Sequence, residues 1–473
     1  MQNKLRKIED FFRSARPPYK WEWIVLGILI FIPFISCFYG DTMSILIYEN
    51  HFFGAIMDGD GLLSYYDYVM NNLGTGNYAT YDFPMYIVLG IWGAPLWFFW
   101  GAKGISPLSS FVAKIYGKSI FLAAFAVTVF LVYFICKELK VSKERAIWGA
   151  FIYASSVMIY VSICLNGQTD ILGLVFILAG ILSYVRGRNV WFIIFYAIAV
   201  PFKMYALFTF VPLLLLREKK IWKIGVQTLG AISIRVISNM LFDPSSPAIQ
   251  EKARFESELF NRLTAQRLPL LNGSVPVVIL LLGVVCVFCY LKQIESKEEL
   301  DKYSVFIPLL AMGCLFVSFE SSSYWYLHLT PFLAIMLVYN WGNMKICMLF
   351  ESVAMICLTA ANYATRAWAF EIYFYPEMAL GKLFGDYNAL ETPVMLIDLC
   401  GRVGLVKYAG CVYAVYTVLL FTVIFLSRPS KINREGENIP IRGYAVLRLA
   451  ANAFVAYIPA ILYLYNVYLA HKS

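Results

Sequence analysis

Long apolar runs recur along this chain and are separated by short clusters of lysine and arginine. Hydrophobic residues make up 60% of the 473 positions and charged residues only 15%. A soluble chain cannot bury that much apolar surface. Runs of this length bounded by basic residues are typical of helices that cross a lipid bilayer. The sequence therefore predicts an all-α polytopic membrane protein, with one transmembrane domain over residues 1–473.

The net charge of +9 has a topological explanation and requires no nucleic-acid partner. Lysine and arginine lie mostly in short segments between apolar runs, and such segments favour the cytoplasmic side of the membrane. We therefore expect a cytoplasmic N-terminus and, after following the runs in order, a C-terminus outside the cell membrane. The basic residues before the first run are Lys4, Arg6, Lys7, Arg13, Arg16 and Lys20.

Followed in order, the runs predict a bundle of about thirteen helices that cross the bilayer or fold back within it. Residues 40–116 are expected to form the first outer loop, with interfacial or re-entrant helices, and residues 364–405 a late outer loop. Residues 42–57 predict an interfacial helix, because their apolar residues share one broad face at helical spacing. These residues are Ile45, Leu46, Phe52, Phe53 and Ile56.

The apolar segment 84–101 is long enough to cross, but a crossing here would expose a later basic cluster, 137–145, on the outer side. That placement conflicts with the preference of basic loops for the cytoplasm. We therefore expect segment 84–101 to be re-entrant or interfacial, with a break at Gly90, Gly93 or Pro95.

The apolar segment 190–216 has basic residues at both ends, so both ends favour the cytoplasm. A hairpin that bends at Pro201, Phe202 and Lys203 satisfies this condition. Each arm would reach roughly 18–20 Å, short of a bilayer core of about 30 Å. Lys203 would then lie within the membrane, and Arg235 in the following run would lie at a similar depth.

Two acidic residues are candidates for catalysis. Asp41 follows the first apolar run directly and is a candidate general base, although a polar residue at the end of a span is the simpler interpretation. Asp170 begins a later apolar run, close after Gln168, which is a candidate for binding the substrate or its phosphate. Asp170 would bind a metal, orient an acceptor or hold a partner of the leaving phosphate, or it would only cap the next helix.

The two intramembrane cations, Lys203 and Arg235, are candidates for binding a lipid phosphate, because ionisable groups in a membrane are costly to keep. The alternative is that they extend towards the interface or pair with acids for packing. Tyr324 and His328 are candidates for lining the acceptor or lipid path, and His328 for donating to phosphate. Trp325 is more typical of the aromatic belt at a membrane interface.

Taken in order, these features resemble the GT-C fold glycosyltransferases, which are polytopic enzymes that use polyprenyl-phosphate sugars. The similarity covers roughly residues 20–340 by order of features. Many members show two adjacent acids where this chain has Asp41 and Thr42, which leaves Asp58, Asp60, Asp67 and Asp82 as other candidates for the base. Three stretches carry the resemblance: Gly40-Asp41, then 166–170 with 201–205 and 212–216, and finally 324–332. The middle stretch is similar to the G-Q-x-D and F-K-x…P-L-L-L pattern of bacterial mannosyltransferase-like members.

The resemblance implies an inverting hexosyltransferase that moves a sugar from a polyprenyl-phosphate carrier to a cell-envelope glycan, lipid or polymer on the outer face. It implies no certain cofactor and leaves a divalent cation open. A lipid-linked glycan flippase or transporter is the alternative, because Lys203 and Arg235 would also suit an anionic headgroup in transit. Two features distinguish the two classes. Transporters often carry internal repeats, and the sequence shows none. A transferase needs an acid beside the cations, whereas a flippase does not.

Overall fold

The computed structural model describes residues 10, 17–73, 79–270, 273–319, 323–365, 372–374, 379–385, 393–432 and 441–472. These residues are mostly helical, as predicted for an all-α membrane protein. Most of the basic N-terminal residues used to predict the topology lie outside the described residues. The helices in chain order are α1 (Lys20–Ser36), α2 (Gly40–Met57), α3 (Tyr65–Leu73), α4 (Phe83–Phe99), α5 (Phe111–Glu138), α6 (Lys143–Ala154), α7 (Val157–Tyr160), α8 (Asp170–Val185), α9 (Asn189–Phe202), α10 (Ala206–Arg217), α11 (Ile221–Met240), α12 (Pro247–Leu263), α13 (Val277–Leu291), α14 (Lys297–Ser318), α15 (Thr330–Tyr339), α16 (Met344–Thr365), α17 (Ala379–Phe384), α18 (Leu396–Arg402), α19 (Ala409–Leu426) and α20 (Arg442–Ala470).

Short strands form two antiparallel pairs. Strand β1 (Cys37–Tyr39) pairs with β4 (Ile372–Phe374), and β2 (Arg267–Leu270) pairs with β3 (Gly273–Pro276). The first pair joins the predicted late outer loop to the segment directly before α2. The remaining parts of that loop that are not described are 366–371, 375–378 and 386–392.

Within the described ranges, six helices are long and apolar enough to cross a membrane, or seven if the bent pair α6–α7 counts as one span. These helices support a polytopic membrane protein, but the predicted thirteen crossings are not confirmed. Several predicted spans are apolar helices of only 10–17 residues. At the helical rise such helices reach about 15–26 Å, less than a bilayer core of about 30 Å. Hydropathy alone does not separate a short buried helix from a crossing helix.

Helix α4 is continuous through Gly90, Gly93 and Pro95, so the predicted break in 84–101 is wrong. The two glycines instead permit close packing against α2. A Cβ atom at Gly90 would lie 2.1 Å from Cγ of Phe52, and one at Gly93 would lie 2.5 Å from Cβ of Glu49. Small residues have this role wherever two helices approach closely. By length and composition, Phe83–Lys103 is one of the candidate spans.

Residues 42–57 form the predicted helix, within α2, but the prediction of one apolar face is only partly correct. Ile56 is 37% exposed, whereas the polar Thr42 and Glu49 are buried. The reason is that α2 packs against α4 on one side and against α3 and α5 on others. Protein, rather than a single lipid surface, therefore surrounds most of this helix.

The predicted hairpin in 190–216 is confirmed. Helix α9 ends at Phe202 and α10 begins at Ala206, so the chain breaks where the sequence predicted. The arms pack antiparallel: the rings of Phe192 and Phe210 lie 4.9 Å apart, and Oη of Tyr196 lies 2.8 Å from Oγ1 of Thr209. The hairpin thus places Lys203 in the bend between two short helices.

Candidate active site

A cavity of about 710 Å³ lies where the start of α2 meets the bend between α9 and α10. Four of the predicted site residues line it, namely Asp41, Lys203, Arg235 and Tyr324. The rest of its wall is largely apolar, and much of it comes from α10, α12 and α13. The apolar residues of this wall include Leu207, Phe208, Val211, Phe255, Leu259, Phe260, Leu263, Val278, Ile279 and Leu282.

Asp41 lies in the first turn of α2, where the helix dipole favours a carboxylate. Its Oδ2 atom accepts hydrogen bonds from Nε2 of Gln168 at 3.4 Å and from Oη of Tyr324 at 3.5 Å. The carboxylate is accessible through the cavity, yet enclosure by protein raises the pKa of Asp41. The Gln168 hydrogen bond, the charge of Lys203 and the Tyr324 hydroxyl oppose that rise. Asp41 thus combines access to a ligand with a pKa above that of an exposed aspartate.

Asp170 is fully buried at the start of α8 and does not line the cavity. Its Oδ1 atom lies 3.3 Å from Nζ of Lys203 and 3.4 Å from Nε2 of His328. We name these three residues the Lys203 cluster. Asp170 therefore holds Lys203 in place, and direct catalysis by Asp170, one of the roles predicted from the sequence, does not fit this buried position.

The ammonium of Lys203 lies between two aromatic rings at the cavity wall. Its Nζ atom is 5.5 Å from the ring centre of Tyr81 and 5.3 Å from that of Trp325. The Tyr81 hydroxyl in turn accepts a hydrogen bond from Oγ1 of Thr169 at 3.1 Å. Tyr81 was not predicted as a site residue, because nothing in the sequence around it distinguishes it from the many other tyrosines.

Arg235 belongs to a second group of charges, which we name the Arg235 cluster. Nε of Arg235 lies 3.0 Å from Oδ2 of Asp82, and its Nη2 atom lies 2.9 Å from Oε2 of Glu256. Nζ of Lys252 contacts the other oxygens of both acids, each at 2.7 Å. The interpretation of Arg235 as a cation paired with acids therefore agrees with the structure, although Arg235 also lines the cavity.

Lys252 and Glu256 were not among the site residues predicted from the sequence. Their spacing of four residues is the usual signal of an ion pair on a helix face. Helix α12 places both side chains towards the body of the protein, and Ser246 near its start donates a hydrogen bond to Asp67 at 2.6 Å. These contacts hold α12 along one side of the cavity.

The other acids of the first outer loop are distributed differently. Asp58 and Asp60 are exposed at the end of α2, and Asp67 contacts Ser246. Asp82 lines the cavity but is bound to both cations of the Arg235 cluster. Among the described acids of this loop, Asp41 is thus the cavity residue that contacts no cation directly.

No group of three or more histidine, cysteine, aspartate or glutamate residues within the described ranges is arranged to hold a metal ion. Asp170 and His328 supply two potential donors, but Nζ of Lys203 already lies against the same carboxylate oxygen. The arrangement therefore suits binding of an anion by Lys203 better than binding of a metal.

The structure brings all seven predicted site residues to one region, either on the cavity or directly behind it. Gln168, Asp170 and His328 lie behind the wall, and the other four line it. The fold and this site define a polytopic helical membrane protein with charged groups at one end of a largely apolar cavity. No protein-family model, curated protein or solved structure matches the chain.

Proposed function

We propose that this protein is a membrane glycosyltransferase of the GT-C kind. It would move a hexose, with inversion, from a polyprenyl-phosphate carrier to a glycan, lipid or polymer of the cell envelope. The observation that carries the proposal is the shared cavity, in which an accessible carboxylate, Asp41, faces the same space as the ammonium of Lys203.

The apolar part of the cavity supports a donor with an isoprenoid chain. On α13 its lining residues extend from Val278 to Cys286, which corresponds to about 12 Å at the helical rise. On α10 its lining residues extend from Leu207 to Pro212, which corresponds to about 8 Å. A lipid tail in this part of the cavity would place its phosphate at the charged end, beside Lys203.

The charges around the cavity favour a donor with one phosphate. Each described cation of the two clusters already has a carboxylate partner. A phosphodiester adds a single negative charge, whereas a diphosphate linkage adds at least one more in a region of low dielectric. The cations concerned are Lys203, Arg235 and Lys252, and their partners are Asp170, Asp82 and Glu256.

The proposed reaction is a single displacement. The acceptor hydroxyl would transfer its proton to Asp41 while its oxygen forms a bond to the anomeric carbon of the sugar. The bond from that carbon to the phosphate oxygen breaks, and the polyprenyl phosphate leaves with the electron pair. Lys203 stabilises the charge that develops on the departing phosphate. One displacement at the anomeric carbon inverts its configuration.

The test is transfer of radiolabelled hexose from synthetic polyprenyl-phosphate sugars to envelope extracts by the purified protein, for the wild type and Asp41→Asn. Loss of a general base lowers the rate by about 10²- to 10⁴-fold. Asp60→Asn, which alters an exposed acid of the same loop, serves as the control and keeps the wild-type rate. Equal transfer by Asp41→Asn and the wild type would exclude Asp41 as the base.

The same preparations distinguish the flippase alternative, which the cavity cations also suit. Reconstituted vesicles that carry a fluorescent polyprenyl-phosphate sugar report translocation across the bilayer. Translocation by both the wild type and Asp41→Asn, without any sugar transfer, would replace the transferase proposal by the flippase. Transfer that depends on Asp41 supports the enzyme.

A further inference from the structure

Lys118 is a fully buried cation within α5 that the proposed chemistry does not use. Its Nζ atom donates to three backbone carbonyl oxygens: Phe34 at 2.9 Å, Cys37 at 2.7 Å and Cys164 at 3.4 Å. An ammonium has three N–H groups, so each has an acceptor. Among the described ion pairs no carboxylate contacts Lys118. A buried charge without an ion pair is costly to maintain, which indicates that its contacts have a specific role.

The three carbonyls belong to the two segments that directly precede Asp41 and Gln168. Phe34 lies in the last turn of α1, and Cys37 precedes Asp41 by four residues. Cys164 lies at the end of the π-helical segment Val161–Leu165, four residues before Gln168. Carbonyls at helix ends lack partners within their own helix. Lys118 supplies those partners and thereby joins the two segments.

Two further contacts tighten the same junction. Oγ1 of Thr42 donates to the carbonyl oxygen of Asn166 at 2.8 Å. Gly167 has a φ of +60°, and a Cβ atom there would lie 3.1 Å from Cε of Lys118 and 3.3 Å from Oγ1 of Thr42. A side chain at position 167 would therefore require Lys118 and Thr42 to shift by a few tenths of an ångström and would be strained by the positive φ. The junction places the Asp41 carboxylate within 3.4 Å of the Gln168 amide.

We propose that Lys118 is a positioning residue, which holds the Asp41 segment and the Gln168 segment in the geometry needed for proton transfer. The inference rests on the proposed transferase function, because it assigns Lys118 a role in that reaction. Lys118 touches neither the cavity nor the clusters that would bind the donor phosphate. Its loss should therefore reduce turnover and leave donor binding nearly intact.

The experiment compares kcat and the donor KM for the wild type, Lys118→Met and Gly167→Ala, per mole of folded protein. A misplacement of about 1 Å at a reacting group costs roughly 10²-fold in rate. We expect kcat to fall by about 10- to 100-fold in both variants, with the donor KM within about twofold of the wild type. Lys137→Met, an exposed lysine at the other end of α5, is the control and keeps the wild-type kcat.

A second measurement separates positioning from simple structural support. If Lys118 acts through Asp41, adding Lys118→Met to Asp41→Asn lowers the residual rate no further. A multiplicative loss in the double variant, or a wild-type kcat in Lys118→Met, overturns the inference while the transferase proposal stands. If neither Lys118→Met nor Gly167→Ala folds, Lys118 is a structural residue and the inference is wrong. A wild-type protein that transfers no sugar from any donor overturns the proposed function first, and the inference with it.

Discussion

The Lys203 cluster and the Arg235 cluster lie at the same cavity but satisfy their charges differently. In the Lys203 cluster one ammonium and one imidazole share a single carboxylate oxygen of Asp170. The other oxygen, Oδ2, and Nδ1 of His328 are buried without a hydrogen-bond partner among the described residues. In the Arg235 cluster both cations contact both acids. The first cluster thus retains unused bonding capacity, and the second forms a closed network.

This difference indicates two separate roles. Lys203 contacts a single carboxylate oxygen, so its ammonium, which has three N–H groups, can donate to a phosphate while it keeps its contact with Asp170. A closed network loses several contacts at once when one member leaves, because the remaining buried charges become unpaired. We therefore expect Lys203 to act on the ligand and the Arg235 cluster to hold α12 beside the cavity. The following experiments test that division.

Among the variants of the two clusters, the largest effect is expected for Lys203→Met. Removing one group that stabilises developing charge costs about 10²- to 10³-fold in kcat. Because this variant leaves the Asp170 carboxylate without its cation, the double variant Lys203→Met/Asp170→Asn is measured beside it to separate charge loss from misfolding. The assay is sugar transfer from a polyprenyl-phosphate donor. Lys223→Met, at a side chain that is 40% exposed, is the control, and a kcat within threefold of the wild type in both Lys203 variants would contradict the assignment.

Arg235→Gln is expected to reduce stability more than turnover. It leaves the carboxylates of Asp82 and Glu256 to share Lys252, and removing one partner of a buried pair costs roughly 3 kcal/mol. Chemical unfolding in detergent micelles measures this loss, and kcat is determined for the fraction that remains folded. Arg254→Gln changes an exposed arginine of α12, the helix that carries Lys252 and Glu256, and should shift the unfolding free energy by about 0.5 kcal/mol or less. A loss of kcat in Arg235→Gln equal to that of Lys203→Met would show that both clusters bind the ligand.

The pH dependence of transfer should reflect Asp41. Enclosure raises the pKa of Asp41, so the carboxyl stays protonated to a higher pH than an exposed aspartate. A protonated base cannot accept the acceptor's proton, and kcat/KM therefore rises about tenfold per pH unit below that pKa and levels off above it. The residual rate of Asp41→Asn should lack this rise. An identical profile in Asp41→Asn would assign the rise to another group.

The sign of the linked stability change is opposite to that of activity. A carboxyl whose pKa is raised in the folded state destabilises the fold when it ionises, so the contribution of Asp41 falls as pH rises from its unfolded pKa through its folded pKa. Asp41→Asn should lose less stability than the wild type across this pH range. Thermal unfolding of both proteins over the same pH series measures the difference.

Part of this arrangement was predictable from the sequence. The hairpin and the location of Lys203 were predicted from the basic residues at both ends of 190–216 and from Pro201 between them. Both signals are local, because they can be read from the sequence of this segment alone. Asp41 and Asp170 were singled out because each borders an apolar run. Their closeness in space depends on tertiary packing and not on any local pattern.

Other features depended on tertiary contacts that no local pattern encodes. In the sequence, Lys118 is one more basic residue at the border of an apolar run. In the structure, it is buried against carbonyl oxygens from α1, β1 and the π-helical segment. Gly90 and Gly93 looked like helix breakers, but they accommodate α2. The predicted number of crossings is not confirmed by the described residues, because short buried helices and spans have similar hydropathy.

The smallest expected effect concerns the two acids that share Lys252. Lys252 and Asp82 are both nearly buried, with 7% and 6% of their side chains exposed, whereas Glu256 is 35% exposed. A double-mutant cycle of Lys252→Gln with Asp82→Asn should give a coupling free energy of about 2 kcal/mol. The cycle with Glu256→Gln should give only about 0.5 kcal/mol, since water screens an exposed partner even in the same helix. A Glu256 coupling that equals or exceeds that of Asp82 would change the interpretation of the Arg235 cluster. The main function of the cluster would then be contact within α12 and not attachment of α12 to the first outer loop. The contrast with the Lys203 cluster would then lose its structural basis.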